Sequence, residues 1–208
     1  MTTDESETRI LGVLGGIASG KSSVARLLAG EDGVVLDADR LAHEALCSDE
    51  VAQLVVEHFG EDALDANGVP DRAQLARAVF SAPELRKRLE GWIHPRVRAR
   101  IAVGLEDARR TRVPRVVLDV PLLFENNAEH GLADLCEFLV FVEVADDVRD
   151  QRAVRDRDWK PGEVARREAA QLPLSEKKRR AQFIVRNEGT LDELRQAVTE
   201  VLERAGLS

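Results

Sequence analysis

The chain has 208 residues, of which 44% are hydrophobic and 33% are charged, and its formal net charge is −8. This composition is enough for a folded domain with a substantial core, and it excludes collagen-like, mucin-like and wholly disordered chains. The negative charge argues against general electrostatic binding to nucleic acid or to an anionic membrane. A small anionic ligand is compatible with it, provided that basic residues are concentrated in one place.

Two features bear on location. The opening residues, MTTDESETR, are polar and acidic rather than an apolar signal core, and no run approaches the roughly 18 apolar residues that span a bilayer. Cys47 and Cys136 lie far apart without metal-binding spacing, so we expect two buried, reduced thiols. The sequence therefore predicts a cytoplasmic protein, and nothing in it indicates an obligate protein partner.

Five short runs rich in β-branched residues predict strands that are apolar on both faces. They are Arg9 to Leu14, Gly33 to Leu36, Val116 to Val120, Phe138 to Val144 and Phe183 to Val185. Such strands are typical of a central parallel sheet covered by helices. A glycine loop and a helix from Lys21 to Ala29 follow the first strand, so the chain opens as strand, loop, helix, strand.

The stretch from about Glu44 to Arg112 lacks strand patterns, and its apolar residues recur at helical spacing. They are Leu85, Leu89, Trp92 and Ile93, followed by Val97, Ile101 and Leu105. We expect a helical insertion over about 45–112, within a core formed by about 9–44, 113–148 and 181–208. Ser81 is a candidate N-cap for the first of these helices.

A terminal helix is predicted by the capping box of Thr190 and Glu193. Its apolar positions, which we expect to be buried, are Leu191, Leu194, Val198, Val201 and Leu202.

The segment from Arg149 to Arg180, here called the basic segment, differs in charge from the rest of the chain. It holds 11 basic and 6 acidic residues, a local net charge of +5, so the remaining residues carry −13. A charge run of this kind is usually a solvated helix face. Alternatively, over 149–180, it is a helical lid that closes over phosphate groups.

The glycine loop carries the pattern G-x-x-x-x-G-K-S between a strand and a helix. Its residues are Gly15, Gly16, Ile17, Ala18, Ser19, Gly20, Lys21 and Ser22, with Ser23 next in the helix. Glycines allow backbone N–H groups to surround phosphate oxygens, and the helix N-terminus adds positive charge. In such loops the lysine binds the β- and γ-phosphates and the serine hydroxyl binds Mg²⁺. The sequence thus predicts a nucleotide-binding loop that uses ATP and Mg²⁺.

Acidic residues follow two of the predicted strands. The second strand ends in Asp37-Ala-Asp39, and strand alternation would direct both carboxylates to the same side. One of them can be a helix cap; Asp39 is our candidate for the group that accepts the proton of an attacking hydroxyl. Asp119 ends the third strand and is a candidate to hold Mg²⁺ opposite Ser22, with a helix cap or turn as the alternative.

With these motifs in place, the chain resembles the dephospho-CoA kinase family. The matching stretches are GVLGGIASGKSSVA, VVLDADRLAHE, DRAQLARAVFSAPELRKRLEGWIHPRVR, VVLDVPLLFE, REAAQLPLSEKKRRA and FIVRNEG. They occur in family order and span nearly the whole chain. The resemblance implies a P-loop NTPase-type three-layer α/β fold with a five-stranded parallel sheet, a helical acceptor-binding insertion and a helical lid.

The activity that this resemblance implies is transfer of the ATP γ-phosphate to the ribose 3′-hydroxyl of dephospho-CoA. It implies that Asp39 is the catalytic base and that Asn187 lies on the nucleotide-base side. Acceptor-binding positions implied in the same way are His43, His94, Arg98, Leu122, Leu123, Phe124 and Glu125. From the residues alone, His94 in front of Pro95 is better interpreted as a helix-boundary residue.

The sequence departs from the family pattern in several places. Ala18 replaces a usual glycine and therefore requires an ordinary φ at that position, Ser23 stands where threonine is common, and Leu14 replaces a usual threonine. In the basic segment, the family's arginine falls on Asp156. Arg152, Arg155 and Arg157 are the catalytic candidates there, and the sequence leaves open which of them reaches the transferring phosphate.

Two other functions compete with this interpretation. The first is that the chain is another P-loop kinase, which acts on a nucleoside, nucleotide or shikimate-like alcohol. Only the acceptor motifs argue against this hypothesis. A nucleotide-dependent switch is disfavoured because the chain lacks the N-K-x-D motif by which GTPases recognise their base.

Overall fold

The structure is a computed structural model that describes residues 8–80 and 82–207; Ser81, the predicted N-cap, lies outside the described residues. The strands are β1 (Arg9–Gly15), β2 (Val34–Asp37), β3 (Arg115–Asp119), β4 (Phe138–Glu143) and β5 (Phe183–Arg186). The α-helices are α1 (Lys21–Ala29), α2 (Ala38–Leu46), α3 (Asp49–Phe59), α4 (Arg72–Phe80), α5 (Pro83–Arg110), α6 (Asn127–His130), α7 (Asp146–Arg157), α8 (Glu163–Glu168), α9 (Leu174–Arg180) and α10 (Leu191–Arg204).

The five strands form one parallel sheet in the order β2-β3-β1-β4-β5. All five predicted strands are confirmed, and β1 at the centre is buried from Ile10 onward. The prediction of two covered faces is wrong for both edge strands: in β5, Phe183 and Val185 are buried but Ile184 is 44% exposed, and in β2, Val34 is 36% exposed. Because β5 pairs with β4 alone, it is an edge strand, and one of its faces remains open to solvent.

The contacts divide the chain into two compact units. The first unit comprises the chain up to Asp37 and from Leu105 onward, and the second comprises Ala38–Gly104. Apolar residues of the sheet and of helices α1 and α10 build the core of the first unit. They include Leu11, Val13, Val24, Leu28, Val117, Val140, Val142, Leu194, Val198 and Val201.

Helix α10 begins as the sequence predicts. The hydroxyl of Thr190 accepts from the N–H of Glu193, and the Glu193 carboxylate accepts from the N–H of Thr190, which completes the capping box. Leu194, Val198 and Val201 are buried as expected, but Leu191 is 54% exposed. The expectation for Leu191 is wrong: helical spacing puts it on the face of the other three, but it is in the first turn and remains exposed, and Leu202 is half-buried.

The second unit is helical, and its bounds, Ala38–Gly104, differ from those of the insertion expected over about 45–112. Its core consists of Leu46, Val51, Val55, Ala63 and Leu75, with Leu89, Trp92 and Ile93 packed against it. The indole ring of Trp92 stacks on His58 at 5.1 Å between ring centroids. The unit thus has an apolar interior of its own.

Helix α5 corrects a prediction. This helix is 28 residues long and continues through Pro95, so the interpretation of His94 as a helix boundary is wrong. Proline removes one N–H from the helix ladder, and the buried side chains of Val97 and Ile101 continue the apolar face beyond it. Although α5 is long, no helix in the described part of the chain has the length and apolar character needed to cross a bilayer.

The two cysteines are free thiols, as expected, but both are half-buried rather than buried. Burial of the Cys136 side chain, together with the nearby charge of Asp134, raises the pKa of that thiol to about 12.

Candidate active site

The loop between β1 and α1 forms the centre of the candidate site. Gly20 precedes α1 with φ 84°, a left-handed conformation that favours glycine. A Cβ atom at Gly20 would also overlap the amide nitrogen of Asn187, which donates to the Ser19 carbonyl at 2.8 Å. Both observations account for the glycine that the motif requires at this position.

Ala18 adopts φ 59°, so the expectation of an ordinary φ at this residue is wrong. The left-handed conformation costs a residue with a Cβ about 1 kcal/mol relative to glycine. Contacts on both sides of Ala18 hold the backbone in place: the Ile17 carbonyl accepts from Arg149 Nη1 at 3.3 Å, and Asn187 holds the Ser19 carbonyl. The loop keeps its shape with alanine at the cost of local strain.

Lys21 folds back over the loop. Its Nζ donates to the carbonyls of Gly15 and Gly16 at 3.2 and 2.8 Å. Burial lowers the pKa of Lys21 to about 8; the charge of Asp119 counteracts this effect, whereas the positive charges of Lys177 and Arg157 add to it. The ammonium group of Lys21 is therefore within electrostatic range of charges of both signs.

Two carboxylates lie at the same edge of the sheet as the loop. Asp119, which ends β3, is 3% exposed, and its backbone is in register with Asp37 at the end of β2. The alternation argument that put Asp39 on the same side as Asp37 is wrong, because β2 ends at Asp37 and Asp39 is in the first turn of α2. Asp39 is exposed to solvent and belongs to the second unit.

A cavity of about 460 Å³ opens beside the loop in the first unit. Residues of the loop, of α7 and of the turn after β5 line it, among them Ala18, Gly20, Ser23, Arg152, Arg155, Arg157 and Asn187. Arg152 Nη2 donates to the Asn187 carbonyl at 2.8 Å, which ties the basic segment to the turn that also holds the loop.

The arginines of the basic segment have different partners. Arg155 donates from Nε and Nη2 to the carboxylate of its neighbour Asp156, at 2.6 and 2.9 Å. Arg157, by contrast, is close enough for its charge to lower the pKa of Lys21, and its guanidinium lies 5.2 Å from the ring centroid of Trp159. Both arginines line the cavity, and Arg157 is the one whose charge lowers the pKa of Lys21.

The turn after β3 contains the predicted acceptor residues of the first unit. Glu125 Oε1 accepts from Lys177 Nζ at 2.7 Å and from the Leu172 N–H at 3.0 Å. Leu123 is 1% exposed and packs into the interior, while the guanidinium of Arg180 lies 4.8 Å from the Phe124 ring centroid. The turn is therefore attached to α9 of the basic segment.

The remaining acceptor candidates belong to the second unit. His43 and His94 are exposed, and Arg98 is half-buried. His43 follows Asp39 by one turn of α2, and its ring nitrogens lie 3.8 and 3.9 Å from the Cys47 sulfur. His94 and Arg98 are four residues apart on α5, so their side chains project from the same face of that helix.

Comparison with known proteins identifies the family. A family model described as CoaE, dephospho-CoA kinase, matches residues 9–193. The dephospho-CoA kinase of Corynebacterium diphtheriae is 37% identical over 197 residues, which cover 94% of this chain and 96% of that protein. The chain belongs to the dephospho-CoA kinase family.

Solved structures agree with this family assignment. A Thermus thermophilus protein with 36% identity matches with a TM-score of 0.72, covering 95% of this chain and 98% of that one. The dephospho-CoA kinase from Campylobacter jejuni, at 22% identity and a TM-score of 0.67, covers 95% of this chain and 97% of its own, and it shows the fold. The predicted family and the α/β fold with its parallel sheet are confirmed.

Three charged residues near the loop were not singled out from the sequence: Arg149, Glu168 and Lys177. Arg149 and Lys177 are 2% and 1% exposed, although both are in the basic segment that we expected to be solvated or to act as a lid. One signal was available for Arg149: it precedes the buried Ala153 by four residues in α7, which places the two on one helix face.

The groups that could hold a magnesium ion include the Ser22 hydroxyl at the start of α1 and the Asp119 carboxylate at the end of β3. No cluster of three or more His, Cys, Asp or Glu side chains capable of holding a metal occurs among residues 8–80 and 82–207. A sparse set of hard oxygen groups fits Mg²⁺, which usually keeps several waters and binds through one or two protein groups and the substrate phosphates.

The strain at Ala18 leads to a prediction. We expect Ala18→Gly to leave the free energy of unfolding unchanged or to raise it by up to about 1 kcal/mol, because relief of the left-handed alanine opposes the greater freedom of glycine in the unfolded chain. Chemical denaturation would measure it. Ala25→Gly, in the buried middle of α1, is the matched control and should lose about 1 kcal/mol or more. Equal losses in the two variants would contradict strain at Ala18.

Proposed function

We propose that this chain transfers the γ-phosphoryl group of ATP to the ribose 3′-hydroxyl of dephospho-CoA, giving CoA and ADP, the final step of coenzyme A biosynthesis. The observation that carries the proposal is the family match over residues 9–193, which includes the phosphate loop and every acceptor motif. We also propose a cytoplasmic location, which the two free thiols support. The proposal further includes that the protein has no nucleic-acid, membrane or obligate protein partner.

The nucleotide binds at the phosphate loop. The backbone N–H groups of the loop and the N-terminus of α1 supply positive potential for the phosphates, and Lys21 releases the two loop carbonyls to bind them. The cavity of about 460 Å³ beside the loop accommodates the nucleoside, with Asn187 on the base side. Ser22 and Asp119 hold the magnesium ion, which neutralises phosphate charge when it is bound.

The acceptor-binding roles follow the motifs that the family match covers. Asp39 accepts the proton of the 3′-hydroxyl as its oxygen attacks the γ-phosphorus, and the bond from phosphorus to the β,γ-bridging oxygen breaks to release ADP. His43, His94 and Arg98 bind the acceptor, as does the turn from Leu122 to Glu125. The attachment of Glu125 to Lys177 and to the Leu172 N–H supports a role in shaping this turn.

The basic segment acts as a lid, and Arg157 is its main catalytic arginine. The reason is electrostatic: the charge of Arg157 already acts on Lys21 in the absence of nucleotide, whereas Arg155 is paired with Asp156. Arg152 holds the Asn187 carbonyl and lines the same cavity. A guanidinium at this position would stabilise negative charge on the transferring group.

An acceptor panel tests the proposal. ADP release is measured with dephospho-CoA, adenosine, AMP and shikimate, and the phosphorylated product is identified by mass spectrometry. We expect turnover with dephospho-CoA alone and a phosphate on its ribose 3′-oxygen. Turnover confined to another acceptor would establish the competing P-loop kinase function instead.

The same assay examines Asp39. Asp39→Asn should lower kcat at least about 100-fold, because the amide cannot accept the proton, while the affinity for ATP stays near that of the wild type. A near-normal kcat in this variant would exclude Asp39 as the base.

Arg157 and Arg155 form a matched pair for mutagenesis. We expect Arg157→Ala to lower kcat by about 100-fold or more, in the range found when one donor to a developing negative charge is removed. Arg155→Ala, two residues away on the same helix, should change kcat less than about threefold. If the two effects were exchanged, Arg155 would be the catalytic arginine of the lid.

The pKa of Lys21 predicts a pH dependence of nucleotide binding. With a pKa of about 8 in the free protein, Lys21 is charged at pH 7 and largely neutral at pH 9. Phosphates favour the charged form, so the affinity for ATP should fall above pH 8, by at most about tenfold per pH unit, and binding should take up protons.

Isothermal titration calorimetry in two buffers with different enthalpies of ionisation measures that uptake. We expect close to no uptake at pH 7 and close to one proton per nucleotide at pH 9. In Lys21→Arg the guanidinium stays charged, and uptake at pH 9 should disappear. Equal uptake by wild type and variant at pH 9 would assign the protons to another group.

A further inference from the structure

We propose that Arg149 and Glu168 are positioning residues that fix two consecutive peptide groups of the phosphate loop in the orientation that binds nucleotide. We call this pair the Ile17 clamp. The proposal deepens the function proposed above and rests on it for the identity of the nucleotide. All the contacts that carry it are within the first unit of the structure.

The clamp holds Ile17 from both sides. The Ile17 N–H donates to Glu168 Oε1 at 2.6 Å, and the Ile17 carbonyl accepts from Arg149 Nη1 at 3.3 Å. The first contact fixes the peptide group between Gly16 and Ile17, and the second fixes the one between Ile17 and Ala18. Lys21 Nζ holds the carbonyl of the first of these groups, at Gly16.

The clamp is itself rigid and largely shielded from water. Arg149 Nη1 donates to Glu168 Oε1 at 2.6 Å, and Nη2 donates to Asp146 at 2.6 Å. The Arg149 side chain is 3% exposed and that of Glu168 is 15% exposed. A buried ion pair of this kind is weak evidence for stability but can select one conformation over others. Here the conformation it selects is that of the loop.

Gly16 shows how closely the clamp approaches the backbone. A Cβ atom at Gly16 would overlap Arg149 Nη1 and would lie 2.8 Å from Glu168 Oε1. The motif G-x-x-x-x-G-K-S allows any residue at this position, so phosphate binding alone does not account for this glycine. The clamp does account for it, since only glycine leaves room for the two side chains.

The clamp also determines which amide faces the cavity. In a trans peptide the N–H and carbonyl point in opposite directions, so the hold of Arg149 on the Ile17 carbonyl turns the Ala18 N–H away from Arg149. Ala18 lines the cavity beside the loop. The Ile17 N–H is thus bound to the Glu168 carboxylate. The next N–H, that of Ala18, is directed toward the phosphates, with φ 59° at this residue.

Nucleotide affinity, measured without the acceptor, tests the clamp. The dissociation constant of ADP is determined by calorimetry for Glu168→Leu and Glu168→Gln. We expect Glu168→Leu to weaken ADP binding about tenfold or more and Glu168→Gln to stay within about threefold of the wild type, since the amide oxygen can still accept from Ile17. Glu163→Leu is the matched control: Glu163 is also on α8 and pairs with Arg166 and Arg167 but has no contact with the loop in the described structure, and its variant should bind ADP as the wild type does.

A double variant separates positioning from folding. Arg149→Met with Glu168→Leu replaces the buried pair by apolar side chains, a change that often preserves stability. We expect thermal stability near that of the wild type but ADP binding still weakened about tenfold, and in steady-state kinetics a raised KM for ATP with kcat changed less than about threefold.

Three results would overturn the proposal. The first is wild-type ADP affinity in Glu168→Leu, and the second is wild-type ADP affinity in the stable double variant. The third is tighter ADP binding in either variant, because that result would mean that Glu168 competes with phosphate. Because ADP binding needs no acceptor, a failure of the acceptor assignment would leave this test intact, and a failure of the clamp would leave the acceptor assignment intact.

Discussion

The phosphate loop has a defined conformation because side chains from three separate places hold its backbone groups. Lys21, at the start of α1, binds the carbonyls of Gly15 and Gly16. Glu168 and Arg149 hold the two sides of Ile17, and Asn187, from the turn after β5, holds the Ser19 carbonyl. A loop that must present several amides to one anion cannot satisfy its other backbone groups by regular secondary structure. Charged and amide side chains satisfy them here.

The basic segment supplies two of these four side chains, Arg149 and Glu168, so its charged residues are not all available to bind ligand. Several of its surface arginines are paired within the segment: Arg155 with Asp156, Arg166 and Arg167 with Glu163, and Arg179 and Arg180 with Glu176. Exposed pairs of this kind add little to stability. The buried members also make contacts outside the segment: Arg149 donates to the Ile17 carbonyl of the loop, and Lys177 pairs with Glu125 in the turn after β3. The excess of +5 therefore includes anchoring residues as well as residues that can bind phosphate.

The sequence was sufficient to predict the sheet, the phosphate loop and the family, because buried parallel strands and the glycine motif depend on local patterns. The errors arose where a residue's surroundings come from distant parts of the chain. The φ of Ala18 depends on Arg149 and Asn187, more than a hundred residues away. The continuity of α5 past Pro95 depends on which side chains are buried beyond it. Strand alternation failed for Asp39 because β2 stops two residues before it.

The close packing at Gly16 limits which amino-acid substitutions this protein can accept. A larger residue there would displace Arg149 and Glu168, and loss of Arg149 would leave the Glu168 carboxylate, 15% exposed, without its cation, at a cost of about 3–5 kcal/mol. Single substitutions at positions 16, 149 and 168 are therefore each disfavoured while the other two are retained. A residue larger than glycine at position 16 therefore requires changes at positions 149 and 168 as well.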